Sequence, residues 1–314
     1  MLNRACFFAA SVSLIALPVV AGENAIGQDN EASSVAAASL QVRGERAEWR
    51  GRGIGRYATA RASATVIYGA HQRQQIDIYA PDEPVFGTPL VVYIHGGGWS
   101  AGDHKMVSQK PAFFNDAGYV FASAGYRVLP DAAVEQQAAD LGQALQVLRA
   151  QAEDHDFDPD RIILIGHSAG AHLAALLGSD PGYAGDAFDA IRGVILLDGG
   201  GYDIGLAISM PEMEMPLLYR DVFGTDPARH KALSPVAHIG GKDAPNWLIV
   251  HLADRAATIR QAEELARALA QAGRRVQSVA VENSTHRRIN TEIGSEAGSL
   301  QSEAIAAFLQ RLSR

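Results

Sequence analysis

Eight short apolar runs recur between residues 65 and 281, and four longer stretches with apolar residues at helical spacing lie among them. The runs occupy 65–68, 75–79, 90–94, 119–124, 161–165, 194–197, 247–250 and 276–281. Most are continuously apolar instead of alternating with polar positions, the pattern of strands covered on both faces. The longer stretches, 132–152, 169–177, 259–272 and 302–312, predict amphipathic or buried helices. Strand and helix in alternation predict an α/β chain with one mostly parallel central sheet and helices on both faces. Between Gly199 and Ser234 the pattern fails. Met210, Met213 and Met215 stand there with Pro211 and Pro216, in a segment that fits neither strand nor clean helix. Such an insertion suits two readings equally: thioethers lining a substrate pocket, or plain packing against the sheet.

The chain before residue 62 follows another pattern. Arg4 precedes an apolar run from Ala5 to Val20, and Val19 and Ala21 suit the −3 and −1 positions of a cleavage site, so 1–21 is expected to be an export signal and the protein periplasmic or secreted. Ser11, Ser13 and Pro18 interrupt the run, which argues against an uncleaved anchor and for a mature chain without an integral membrane span. The single cysteine, Cys6, lies in that segment, so neither disulfides nor a thiol nucleophile are expected afterwards. Residues 22–61 are rich in Ala, Ser, Gly, Glu and Arg and predict a flexible arm, with Glu45 and Glu48 interleaved among Arg43, Arg46, Arg50, Arg52 and Arg56. Residues 62–314 make up the expected catalytic domain. A formal net charge of −8 over 314 residues speaks against a nucleic-acid partner, because phosphate binding needs a clustered basic surface.

Chemistry enters with Gly166-His167-Ser168-Ala169-Gly170, a G-x-S-x-G turn between an apolar strand and a helix. In that context the serine sits on a sharp, strained bend with its hydroxyl above the sheet, and the flanking glycines leave room for it. A serine hydroxyl needs a base to take its proton, and the base needs an orienting acid, in the chain order Ser, Asp or Glu, His. His286 lies in a loop after the last strand, and Asp254 lies just past an apolar strand and before a helix, so these two are the expected base and acid. His95, His167 and His172 flank the glycine loop or the serine turn and are expected to pack or orient backbone; His251 is expected to be buried at a strand end. Asp198 ends an earlier strand, while Asp203 and Asp243 are loop residues with no strand exit behind them.

A second motif, His95-Gly96-Gly97-Gly98-Trp99, follows the strand at 90–94. Attack on a carbonyl places negative charge on its oxygen, and each preorganised donor aimed at that charge is worth roughly 3 kcal/mol. Glycines directly after a strand present such donors, so the amides of Gly97 and Gly98, with Ala169 after the nucleophile, form the expected oxyanion hole. No metal is expected, since there is no H-E-x-x-H and His167 and His172 are five residues apart, off one helix face. No cofactor is expected either.

The stretches "YIHGGGWSAGD", "AGYVFASAGYRVLP", "DPDRIILIGHSAGAHLAALL" and "THRRINTEIG" resemble the α/β-hydrolases of the carboxylesterase group, which includes hormone-sensitive-lipase-like esterases and kynurenine-formamidase-like enzymes. The resemblance runs from about Tyr68 to the C-terminus. It implies the α/β-hydrolase fold, a Ser168, Asp254, His286 triad, a Gly97, Gly98, Ala169 oxyanion hole and cofactor-free hydrolysis of small-molecule esters through an acyl-enzyme. One feature departs from the family pattern: "VHLADR" carries Leu252 where relatives have glycine, and one residue fewer before the acid. An amidase or formamidase would use the same residues, and a non-catalytic binding member of the fold would be expected to lack one of them.

Overall fold

A computed structural model describes residues 61–83, 85–210 and 216–313. The expected signal with Cys6, the arm up to residue 60, and Met213 and Met215 lie outside the described residues. The eight apolar runs form eight strands: β1 Ala64–Ile67, β2 Gln75–Tyr79, β3 Thr88–Ile94, β4 Val120–Ala124, β5 Phe157–His167, β6 Ile191–Leu197, β7 Asn246–Leu252 and β8 Arg275–Val281. They make one sheet in the order β1-β2-β4-β3-β5-β6-β7-β8. β1 and β2 run antiparallel at one edge, and from β4 to β8 every pairing is parallel. This is the eight-stranded, mostly parallel sheet of the α/β-hydrolase fold.

Alternate residues of the continuous apolar strands feed two separate cores. Leu90, Val92 and Ile94 of β3 join Leu164, Val194, Leu196 and Ile249 on one face. Val91 and Tyr93 join Ile163, Ile165, Ile195, Leu197 and Val250 on the other. The first face is covered by helices α2 (Val134–Ala150), α3 (Ala169–Ser179) and α8 (Ala256–Gln271), the second by α1 (Lys110–Asp116) and α10 (Ser299–Leu312). Every residue of α3 is buried, and its Leu173, Leu176 and Leu177 each contribute roughly 1.5–3 kcal/mol of apolar burial. That helix therefore packs immovably behind the turn that starts it.

The insertion between β6 and β7 is a run of short helices: α5 (Ile204–Ser209), α6 (Pro216–Phe223) and α7 (Pro227–Ala232), with a 3-10 turn at Pro235–Ala237. Asp203 and Asp226 cap α5 and α7 by accepting the amides of Leu206 and Ala228. Helical periodicity is hard to see over six or eight residues broken by prolines, which is why the sequence pattern reads as irregular here. Two further four-residue helices, α4 (Pro181–Ala184) and α9 (Arg288–Thr291), complete the described helices longer than a 3-10 turn. Among the described residues no helix is long and apolar enough to cross a membrane.

Candidate active site

The carboxyl ends of β3, β5, β6, β7 and β8 open on one edge of the sheet, the place where open α/β sheets bind their ligands. At the end of β5 the chain turns through Ser168 with φ 55° and ψ −121°, a left-handed conformation that costs a non-glycine residue on the order of 1–3 kcal/mol. Close packing holds it there. A Cβ on Gly166 would lie 2.2 Å from the carbonyl oxygen of Gly170, and one on Gly170 would lie 2.2 Å from that of Ile94. The Ser168 amide donates to the Leu197 carbonyl at 3.0 Å, tying the turn to the neighbouring β6.

His286 reaches the serine from the loop after β8. Its Nε2 lies 2.9 Å from Ser168 Oγ and its Nδ1 lies 2.7 Å from Asp198 Oδ2. For Nε2 to accept the hydroxyl proton, Nδ1 must carry a proton and donate it to the carboxylate. The loop is anchored beyond the histidine by α9, where Ile289 is fully buried and Asn290 Oδ1 accepts from the Tyr93 hydroxyl at 3.2 Å. It is anchored at the histidine as well: His167 Nε2–H donates to the His286 carbonyl at 2.7 Å, and the two rings sit 4.6 Å apart.

The acid in this geometry is Asp198, so the expectation of Asp254 is corrected. Strand order supplies the reason. β6 lies directly beside β5, with His167 level with Leu197, so the residue after Leu197 emerges next to the serine. β7 is one strand further out, and Asp254 at its exit is exposed to solvent. Asp198 has φ 42°, a fully buried side chain, and three donors: His286, Arg255 Nη1 at 2.5 Å and the Leu252 amide at 3.3 Å. Burial alone would raise its carboxyl, but the His286 hydrogen bond and the Arg255 charge outweigh that and hold it down at about 2. It is therefore ionised at neutral pH. The shortened "VHLADR" loop and the arginine beside Asp254 are the signals in the sequence that pointed away from residue 254.

The glycine loop after β3 runs against the serine turn. A Cβ on Gly96 would lie 2.7 Å from the His167 carbonyl oxygen and 3.0 Å from Ser168 Cβ. Gly97 has φ 135°, and its carbonyl accepts the amides of Ser100 and Ala101 at 3.2 and 2.9 Å; Gly98 has φ 59°, and a Cβ placed there would lie 3.5 Å from Leu218 of α6 and 4.0 Å from Ser100 Oγ. The structure thus brings Gly96 against the serine, with Gly97 and Gly98 following it in the same loop, and Ala169 opens α3 with an amide that has no intrahelical acceptor. Trp99 follows with φ 58° and packs edge-on to His172, Tyr219 and Phe223, which joins the loop to α3 and α6.

The remaining histidines near the site pack. His95 stacks on Tyr126 at 4.3 Å and its Nδ1–H donates to the Gly96 carbonyl at 2.9 Å; burial pushes it down to about 4. His172 accepts from Trp99 Nε1 at 3.2 Å, donates through Nε2 to the Leu233 carbonyl at 2.8 Å, and is lowered by burial to about 4. Both are neutral supports of the backbone. His251 is buried at the end of β7, and Asp243 holds Arg274 and the Gly240 amide away from the site. Among the described residues no group of three His, Cys, Asp or Glu side chains could hold a metal.

Sheet order and the serine turn define the α/β-hydrolase fold. A family model described as BD-FAE matches residues 76–189, a span that includes both glycine-bearing motifs and stops before Asp198 and His286. The chain is 30% identical over 111 residues to a probable isoprenylcysteine alpha-carbonyl methylesterase of Oryza sativa subsp. japonica, covering 35% of this chain and 27% of the other. It is 29% identical over 210 residues to Esterase LipQ of Mycobacterium tuberculosis, covering 62% of this chain and 49% of the other. The matched stretch thus spans about a quarter of the plant relative and about half of the mycobacterial one. Among solved structures, the butyrate-bound thermophilic esterase Est2 of Thermogutta terrifontis superposes with a TM-score of 0.65 at 26% identity, covering 81% of this chain and 94% of that one. By these likenesses the chain is similar to esterases of the α/β-hydrolase fold.

Proposed function

We propose that the protein is a serine carboxylesterase acting on small-molecule carboxylic esters. The observation that carries this is the continuous hydrogen-bonded series from Ser168 Oγ through both ring nitrogens of His286 to the buried Asp198 carboxylate. His286 Nε2 takes the hydroxyl proton as Oγ attacks the ester carbonyl. The amides of Gly97, Gly98 and Ala169 receive the developing oxyanion, and Asp198 fixes the tautomer of His286 and stabilises its cationic form. His286 then returns the proton to the leaving alcohol, and water activated by the same ring releases the acid from Ser168. Est2 of Thermogutta terrifontis, a structural neighbour at TM-score 0.67 and 25% identity, is found phosphonylated by sarin, which supports a nucleophile of this kind here.

A panel of p-nitrophenyl esters of increasing acyl length, run beside Ser168→Ala, tests the proposal. Wild-type hydrolysis with loss of at least about 10³-fold in the variant supports it; equal hydrolysis by both proteins ends it. A formamidase reading draws on the 28% identity over 155 residues to kynurenine formamidase of Salmo salar, and matched ester and amide substrates separate the two. Export after cleavage beyond Ala21 is part of the same reading, checked by N-terminal sequencing of the mature protein.

A further inference from the structure

The exit of β7 brings a cation to the site where the sequence led us to expect an anion. Arg255, at the start of α8, places Nη1 2.5 Å from Asp198 Oδ2 and 3.0 Å from His286 Nδ1. That same Oδ2 accepts the imidazole proton at 2.7 Å. One carboxylate oxygen therefore serves two donors, one on a permanent cation and one on the imidazole ring. The Asp198 side chain is fully buried and that of Arg255 is 26% exposed, so water screens the pair only from one side.

The groups facing the imidazole can be named element by element. The end of β6 presents Asp198 and the start of α8 presents Arg255; the end of β5 presents Ser168 and His167. His167 is held neutral, since burial and then the neighbouring His286 lower it to about 3. Among the described residues, the charged side chains in hydrogen-bond distance of the His286 ring are the Asp198 carboxylate and the Arg255 guanidinium, which are of opposite sign. A buried carboxylate without such a partner would favour a proton on the ring before any substrate arrived.

Resting on the Ser168, His286, Asp198 reading above, we propose that Arg255 is a positioning residue that locks the Asp198 carboxylate against His286 and offsets its charge, keeping the imidazole available as a base in mildly acidic solution. Two variants separate the parts of this role. Arg255→Lys keeps a positive charge and loses the planar fork; Arg255→Met loses both.

The experiment is the pH profile of kcat/KM on a soluble short-chain ester for wild type and both variants, with the pH dependence of phosphonylation of Ser168 by an organophosphate as a second readout that needs no turnover. For Arg255→Met we expect the midpoint of the acid limb to rise by about one pH unit, a tenfold loss at pH values below it. For Arg255→Lys we expect a several-fold lower kcat with the midpoint within a few tenths of a unit of wild type. A Met variant that loses kcat at every pH without moving the midpoint in either readout overturns the inference. If the Met variant does not fold, a folded Lys variant decides: a midpoint displaced by a full unit refutes it, and an unmoved midpoint with reduced kcat supports it. Activity surviving in Ser168→Ala would instead remove the triad reading itself, so the two failures are distinguishable.

Discussion

The exits of β6 and β7 begin alike and end differently. Each strand is a buried apolar run followed closely by an aspartate, Asp198 directly after Leu197 and Asp254 two residues after Leu252. Past β6 the backbone turns into positive φ while the Asp198 amide still pairs with the Val250 carbonyl at 2.7 Å, so the carboxylate is folded inward over the neighbouring strands. Past β7 the chain leads into α8 with Asp254 outward and Arg255 inward. Position after a strand is therefore a weak criterion for a catalytic acid. Adjacency to the strand that carries the nucleophile, and a turn that buries the side chain, separate the two.

The largest expected difference is catalytic. Asp198→Asn leaves His286 with an amide that can present the wrong partner to Nδ1, and kcat should fall by about 10⁴-fold; a loss below tenfold in steady-state kinetics would return the role to another carboxylate. The next is thermodynamic. The Asp198 carboxyl is held at about 2, below its ordinary 3.8, so the folded state prefers the ionised form. Its contribution is complete above about pH 4 and is lost as pH falls toward 2, which makes it about 2 kcal/mol at neutral pH. Urea unfolding at pH 7 should show Asp198→Asn less stable by that amount, with the gap closing at acid pH. The smallest is the control: Asp254→Asn, on an exposed side chain, should change kcat/KM less than twofold and stability by less than about 0.5 kcal/mol. A large effect at residue 254 would reverse the comparison.

Sequence reading located all eight strands; β3, β4, β6 and β7 were clearest because their residues are nearly all buried and apolar, whereas the partly exposed β1 and β8 were marked by their β-branched residues. The serine turn and glycine loop were legible for a related reason: each is a local solution to a steric problem, and a Cβ at Gly96, Gly97, Gly166 or Gly170 would strike backbone or Ser168. That His286 comes to Ser168 was legible from chain order. The acid was not, because two aspartates satisfied the same local rule and only the lateral order of strands, a property of the whole sheet, distinguishes them. Helix α1 was also missed: its seven residues carry a proline in the first turn, and what stabilises it is burial of Phe113 and Phe114 against the far face of the sheet.

The bond from His167 to the backbone of His286 bears on how the site tolerates motion. Residues 167 and 286 come from distant parts of the chain, yet one donor next to the nucleophile grips the peptide of the base. His286 lies in the six residues between β8 and α9, and this bond ties its peptide to the strand end that carries Ser168, so hydroxyl and ring share one anchor. Alignment of the pair thus rests on the end of the nucleophile strand and not on the exposed residues of the loop.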